Sequence, residues 1–328
     1  WGLGLFMLEF EIKNEKDSLK LPALSFGTAS FERSDSDEVY FELLDTFYKC
    51  GGRCIDTARV YCSWLEEGLD SSEGVIGRWM RARGNRDDII LCTKGGHPPI
   101  GEMERSRLSR AELEYDISRS LEVLGTDHID VYFVHRDDER IPVEEIMPIL
   151  NDFHRSGRAR FLGASNWTAA RIEAANKFAV ENGMEPFRVS QINYSLAHSS
   201  TDTFGDPTVV CMNLREFKWY QRNQFPVMAY CPQAKGFFAK LARGESMKNL
   251  PEGQFTSTAN LARLARVKQL SMQENIPAAV IPLGYLNSQP FFVSSVFAAS
   301  KDWQIEENMQ AQDLKFDYKT IAFLENII

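Results

Sequence analysis

The chain has 328 residues, of which 44% are apolar and 25% charged, and its formal net charge is −9. That is the profile of an ordinary globular protein, and the acidic balance argues against a basic face for a nucleic-acid partner. No apolar run approaches the roughly 20 residues of a membrane helix, and the opening WGLGLFMLEF has no basic stretch and no small-residue cleavage site, so no membrane partner and no signal peptide are expected, and the expected location is cytoplasmic. Residues 1–6 read as an added or processing remnant ahead of Met7, and the six irregularly spaced cysteines as reduced packing thiols with no metal site.

Residues 8–27 suggest a short hairpin, LEFEI then LKLPALSFG, turning at Lys13–Ser18. A helix is expected over Ser36–Cys50, where Phe41, Leu44, Phe47 and Tyr48 recur at helical spacing and read as a core stripe. Further strands are expected at Cys54–Ile55, Asp88–Thr93, Ile129–Val134, Ala159–Gly163, Arg188–Gln191, Pro226–Tyr230 and Phe291–Phe297. Between them fall helices at Ser72–Arg83, Arg110–Leu124 (opened by Ser109 and Glu112), Val143–Ser156 (closed by Gly157), Thr168–Asn182 and about Val209–Arg222. A polar loop is expected from Gln233 to about Ser257, then helices near Ala259–Asn275, Ala278–Leu286, Trp303–Ala311 and Phe316–Ile328. Eight strands alternating with helices over about 300 residues suit a closed (β/α)₈ TIM barrel. The hairpin would close its bottom, an extra helix would end the chain, and 1–328 would form a single domain.

A barrel of this kind gathers function at the C-terminal ends of its strands. Those ends carry Gly27-Thr28, Asp56, Lys94, His135, Ser165-Asn166, Gln191 and Tyr230, followed by the Ser294–Ser300 segment. An acid, a lysine and a histidine on three successive strand ends, with Tyr61 on the loop after the first, form a proton-donating group. Lys94 would lower the pKa of the Tyr61 phenol, Asp56 would hold Lys94 charged, and His135 would orient a substrate oxygen. Such a group can protonate the alkoxide that forms when a hydride reaches a carbonyl. No side chain supplies hydride, so a nicotinamide cofactor is required. His97 reads as ordering its own loop, and Arg136-Asp137-Asp138 as a salt-bridged cap. His198 and Asp202 lack metal-ligand spacing.

The motifs IDTARVY, CTKGG, IDVYFVHRDD, FLGASNW, VSQINYSL and AYCPQAKG follow in one order from Leu24 to Asn308. With them the sequence resembles the aldo-keto reductases, in wording closer to bacterial-type and channel-β-subunit-like members. The resemblance implies a catalytic set of Asp56, Tyr61, Lys94 and His135 with Tyr61 as general acid. It implies that Gly27, Thr28 and Asp56 border the cofactor and that Ser165, Asn166 and Gln191 hold the nicotinamide carboxamide. Tyr230 would stack on the ring, and Cys231 to Gly236 would follow the pyrophosphate. Ser300, Gln304, Glu307 and Asn308 would surround the adenosine.

Three departures from the family pattern stand out. Cys231-Pro232-Gln233, with Lys235 beyond, replaces the usual Ser-Pro-Leu; Gln233 reads equally as a phosphate-side or substrate contact and as a neutral loop residue. Ser300 with Lys301 replaces an arginine for the 2′-phosphate; one lysine pairs with phosphate only as a point charge and not as a fork, and the resemblance implies NADP(H), the family's default, over NAD(H). Cys62–Ser71 lengthens the loop after Tyr61, and Trp64 on it is expected to wall the substrate with Phe31 and Trp167 opposite. The expected activity is reduction of a small aldehyde or ketone, sugar-derived among the options. The alternative is a cofactor-binding regulatory subunit with little turnover. A metal-dependent hydrolase on the same barrel would need His/Asp clusters at the strand ends, which the sequence lacks.

Overall fold

The structure is a computed structural model describing residues 8–32, 36–66, 68–246 and 254–325; residues 1–6 and Met7 lie outside it, as does the end of the expected last helix at 326–328. Eight parallel strands close into a barrel: β3 (Leu24–Gly27), β4 (Cys54–Asp56), β5 (Ile90–Gly95), β6 (Ile129–Val134), β7 (Ala159–Ser165), β8 (Phe187–Asn193), β9 (Val227–Tyr230) and β10 (Val293–Phe297), with β10 pairing back onto β3. β6, IDVYFV, is buried at every position, because the barrel interior covers one face and the helices cover the other. The TIM-barrel expectation is met.

The expected hairpin divides. β1 (Glu9–Lys13) pairs antiparallel with β2 (Ser18–Pro22), but Leu24–Gly27 beyond Ala23 leaves the hairpin and becomes the first barrel strand. The hairpin closes the floor: Ile12, Leu19 and Leu21 form one buried cluster with Cys54, Cys92, Val131, Phe133, Phe161, Val189, Met228 and Val296 inside the barrel. Arg160 fastens its turn, donating to Asp17 at 2.6 Å and pairing with the buried Asp130 of β6.

Outside the barrel run α1 (Glu38–Lys49), α2 (Ser71–Arg83), α3 (Arg110–Leu124), α4 (Val143–Arg155), α5 (Ala169–Glu181), a single turn α6 (Thr201–Phe204) and α7 (Leu214–Asn223). After β9 come α8 (Phe237–Ala242), α9 (Thr258–Glu274), α10 (Ile281–Asn287), α11 (Asp302–Asn308) and α12 (Tyr318–Leu324). Leu44 and Phe47 of the α1 stripe are fully buried and Phe41 partly. Gly77 is what lets α2 meet α3 closely, since a Cβ there would stand 2.7 Å from the Val123 and Leu124 carbonyl oxygens. Two expectations shift. The helix placed at Val209 begins at Leu214, because Asn213 caps it through the Arg215 and Glu216 amides while Cys211 bridges to Asn193 in extended form. The loop placed at 233–257 contains α8, whose Phe237 and Phe238 are buried.

Candidate active site

Asp56 ends β4, Lys94 lies near the end of β5, and His135 directly follows β6, so three adjacent strands deliver them to one rim. The Lys94 ammonium donates to Asp56 Oδ2 at 2.7 Å, to the Thr57 carbonyl at 2.8 Å and to Tyr61 Oη at 2.9 Å. An ammonium has three donors and no acceptor. All three are used, and the Tyr61 oxygen must be the acceptor in its bond, so the phenol's own proton points to some other group. Gln191 donates to Asp56 Oδ1 at 2.8 Å, so both carboxylate oxygens are held. The His135 ring meets the Tyr61 ring edge-on at 5.9 Å, and its Nδ1 is buried without a partner among the described residues.

Burial sets the electrostatics. For Lys94, burial favours the neutral amine, but the charge of Asp56 and the contact with Tyr61 outweigh it, so the net direction is up and the ammonium is retained. For Tyr61 the net direction is also up: burial outweighs the lowering by Lys94, and the charge of Asp56 adds to the rise. Lys94 thus pulls the phenol down as expected, but not far enough to offset burial. His135 is held well below the ordinary histidine value by burial, then by His97, Arg136 and Lys94, so it is a neutral imidazole.

His97 orders its loop, with Nδ1 2.6 Å from the Pro98 carbonyl oxygen, and also lies edge-on to His135 at 4.7 Å. Its pKa is lowered to about 4, chiefly by burial. Arg136 and the two acids after it are salt-bridged, but not to one another. Arg136 crosses to Thr208 and Asp206 at 3.0 and 3.4 Å, Asp137 pairs with Arg171 at 3.0 Å, and Asp138 with Arg140 at 2.8 Å. Arg136 thereby ties the β6 loop to the segment after β8. A cavity of about 330 Å³ opens there, lined by Pro98, Leu108, Arg136, Asn166, Thr208 and Val210 among others.

The residues expected around a cofactor lie on neighbouring strand ends and on the segment after β9. Asn166, in left-handed backbone, donates to the His135 carbonyl at 3.3 Å and to Ser165 Oγ at 3.2 Å, and its Oδ1 accepts from Tyr230 Oη at 2.8 Å. Thr28 Oγ1 donates to the Asp56 carbonyl at 3.0 Å, and Gly27 pairs with Asp56 across the strands. Cys231, Ala234, Lys235 and Gly236 all have positive φ, a costly run for non-glycine residues. Gln233 donates to Asn308 Oδ1 at 2.7 Å and to the Ala279 carbonyl at 2.8 Å, joining this segment to α11. Gln304 Oε1 accepts from the amides of Ser300 and Lys301 at 2.8 and 3.1 Å.

The three expected substrate-wall residues are placed apart in character. Phe31 is 1% exposed, stacked on Tyr40 at 4.6 Å. Trp167 is 0% exposed, edge-on to Phe187 at 5.2 Å and under Arg171. Trp64 is 50% exposed. Its loop is anchored at Cys62, which is buried at positive φ, and at Asp70, which pairs with the buried Arg59 and with Arg119. Two charged groups prove to be buried without any sign of it in the sequence. Arg59 follows the IDTA run directly, its amide bonding the Lys94 carbonyl at 3.0 Å. Glu73 accepts from Thr93 Oγ1 at 2.6 Å behind β5. Neither position announced burial, since Arg59 lies on a loop and Glu73 in the first turn of a helix, where an acid suits the dipole and is ordinarily solvated. Among the described residues no group of His, Cys, Asp and Glu is arranged to hold a metal, and no helix is long and apolar enough to cross a membrane.

A closed parallel barrel with a charged, hydrogen-bonded group on its C-terminal rim defines an α/β-barrel enzyme. Residues 23–328 match the profile of the Aldo/keto reductase family, and the chain belongs to it. It is an NAD(P)-dependent oxidoreductase. Norsolorinic acid reductase of Aspergillus flavus is 27% identical over 343 residues, covering 96% of this chain and 80% of that protein. A Saccharomyces cerevisiae protein described as a probable aryl-alcohol dehydrogenase (AAD4) is 29% identical, covering 90% and 89%. An aldo/keto reductase from Klebsiella pneumoniae, solved with NADP and acetate, superposes with a TM-score of 0.71 at 22% identity, over 94% of this chain and 92% of that one. At that identity the likeness speaks for the fold.

Proposed function

We propose that this chain reduces the carbonyl of an aryl aldehyde or ketone to an alcohol, with Tyr61 as the proton donor and NADP(H) as the cofactor. The observation that carries the reading is the Tyr61 hydrogen bond, in which the phenol oxygen accepts from Lys94 and its proton is left to be given away. His135, neutral and beside Tyr61, donates to the substrate oxygen and sets its place. As negative charge gathers on that oxygen, the phenol proton moves to it, and the phenolate left behind is stabilised by the Lys94 ammonium. Bound nicotinamide supplies the hydride to the carbonyl carbon. Ser165, Asn166, Gln191 and Tyr230 are suited to hold it: they are polar, come from adjacent strand ends, and lie next to the four groups. The positive φ of Cys231, Ala234 and Lys235 supports a bound group at that segment, since strain of this kind persists where function requires it.

The substrate class is supported by the relatives, whose names speak of aryl alcohols and of norsolorinic acid, and by the half-exposed Trp64 on the loop that follows Tyr61. The test follows NADPH consumption with a panel of aryl, aliphatic and sugar-derived aldehydes, alongside cofactor binding. Aryl carbonyls are expected to turn over fastest, and Tyr61→Phe to abolish reduction while leaving NADPH affinity nearly intact. Retained reduction in Tyr61→Phe refutes the assignment. Cofactor binding with no turnover on any carbonyl would favour the regulatory alternative.

A further inference from the structure

Tyr61 and Trp64 stand on one loop but are held by different contacts. Tyr61 is fixed from the barrel: its amide bonds the Ala58 carbonyl, its oxygen takes the Lys94 ammonium, and the Arg59 amide before it bonds the Lys94 carbonyl at 3.0 Å. None of these contacts uses the Arg59 side chain. Past Cys62 the described backbone bonds turn back within the loop: Ser63 to Val60 and Leu65 to Cys62 at 3.0 Å, and Gly68 to Leu65 at 3.1 Å. Local turns of this kind shape a loop without placing it against the barrel. Side chains do the placing. At one end Cys62 Sγ reaches the Ala29 carbonyl at 3.5 Å. At the other, Ser71 Oγ donates to the Phe31 carbonyl at 2.7 Å, and Asp70 pairs with Arg59 through Oδ1 and with Arg119 of α3 through Oδ2, the latter at 2.8 Å.

We infer that Arg59 is a positioning residue for substrate choice: through its ion pair with Asp70 it holds Trp64 in place, while touching neither substrate nor cofactor. The inference rests on the carbonyl-reduction reading above, with Trp64 as its aryl wall, and names the charge that keeps that wall where it is. Three observations carry it. Arg59 precedes Tyr61 and Asp70 follows Trp64, so the pair brackets both residues. Arg59 is 6% exposed, so the pair is shielded from water and salt and keeps a strength that surface pairs lack. Asp70 is also the residue at which α2 starts, and Arg119 holds its second oxygen. Taking Arg59 away therefore leaves the carboxylate with a partner and leaves α2 joined to α3, while the loop loses its bracket. The consequence falls on Trp64, past Cys62, and not on Tyr61, which Lys94 and the backbone still fix. Selectivity and proton transfer are separable at this residue.

The test is a double-mutant cycle between Arg59→Met and Trp64→Ala, read as kcat and KM with NADPH for naphthaldehyde and for propanal, a carbonyl too small to need the wall. Arg59→Met should lower the naphthaldehyde-to-propanal ratio of kcat/KM by about tenfold, the scale of one apolar contact, chiefly through KM. Its kcat for propanal should stay within about threefold of wild type. In the Trp64→Ala background Arg59→Met should hardly move the ratio, because two residues that act through one contact are not additive. Arg59→Lys keeps the charge and should recover part of the ratio. Asp70→Asn breaks the pair from its other end with a residue that tolerates the same left-handed backbone, and should act as Arg59→Met does, which keeps the test open if the Met variant folds poorly. Acrylamide quenching of tryptophan fluorescence reads the loop without turnover: it should rise in Arg59→Met, and not where Trp64 is already Ala. The inference is overturned if Arg59→Met slows both aldehydes alike, if its effect multiplies with that of Trp64→Ala, or if quenching is unchanged. A wild-type chain that reduces neither aldehyde refutes the proposed function and the selectivity with it. Reduction whose ratio Arg59→Met leaves unchanged overturns the inference alone.

Discussion

Glu73 offers a stability test that is independent of catalysis. It sits in the first turn of α2, is 1% exposed, and has one oxygen bonded by Thr93 while the other is buried without a partner among the described residues. Burial raises its pKa from 4.5 to about 7; the Thr93 bond and the Arg59 charge only partly oppose it. The folded chain therefore keeps a proton that the unfolded chain releases. Between about pH 4.5 and pH 7 the unfolded state binds fewer protons, so stability falls as pH rises, by 1.36 kcal/mol per unit of pH, or about 3 kcal/mol in all. Below that window this group imposes no penalty; above it the penalty is complete. Glu73→Gln keeps an acceptor for Thr93 and has no proton to lose. In urea unfolding the Gln variant should match the wild type near pH 4.5 and exceed it by about 1–3 kcal/mol at pH 8. Because other carboxylates titrate alike in both proteins, the difference isolates Glu73. A difference that is the same at the two pH values, or a Gln variant less stable at pH 8, refutes the reasoning.

Lys94→Met should cost about 3–5 kcal/mol of stability, because it leaves Asp56 buried without its ion partner. Thermal unfolding should show part of the loss restored in the Asp56→Asn/Lys94→Met double variant, and a single variant as stable as wild type would contradict the buried-pair reading. Trp64→Ala should lower kcat/KM for bulky aryl carbonyls by about tenfold, the scale of one apolar contact, with little change in melting temperature, since the ring is half exposed. Unchanged kcat/KM across the panel removes Trp64 from the substrate wall. With Tyr61 raised and His135 lowered by burial, neither group changes state between about pH 6.5 and pH 9. Single-turnover reduction should then be level across that range, and a limb that persists in Glu73→Gln would count against the neutral His135.

The barrel was legible because both-face burial writes continuous apolar strands, and IDVYFV or DIILCT can hardly lie anywhere else. The first barrel strand was harder: LKLPALSFG is apolar throughout, and only the closure of β10 onto β3 separates Leu24–Gly27 from the hairpin arm before it. α8 was missed for a local reason, since its six residues, Phe237–Ala242, show less than two helical turns of pattern. In the site, Asp56, Lys94 and His135 were readable as polar residues at the stops of buried runs. What they bond to beyond each other was not. Gln191 reaches Asp56 from a strand 135 residues away in sequence, and Arg136 finds Asp206 70 residues on. Spacing along a chain carries no record of such pairs; barrel closure creates them. Phe31 and Trp167 illustrate the converse, since an aromatic beside a strand end reads the same whether it faces the mouth or, as both do here, packs inward.

The direction of the Tyr61 shift changes how the four groups work on the proposed reaction. A phenol brought down toward neutrality would spend part of its time as phenolate and could not donate. Burial instead keeps Tyr61 protonated at rest, and the pair beside it is close to neutral as a unit, with every donor of Lys94 and both oxygens of Asp56 already engaged. Nothing in that pair has to reorient when charge appears. Lys94 is in direct contact with the phenol oxygen and Asp56 lies behind it, so the nearer charge dominates once Tyr61 has given up its proton. The ammonium thus acts on the phenolate that forms and hardly on the phenol that waits, which is the difference that lowers a barrier. By holding the second oxygen of Asp56, Gln191 serves the acid as much as any cofactor, and its side chain links β8 to the strand end of β4.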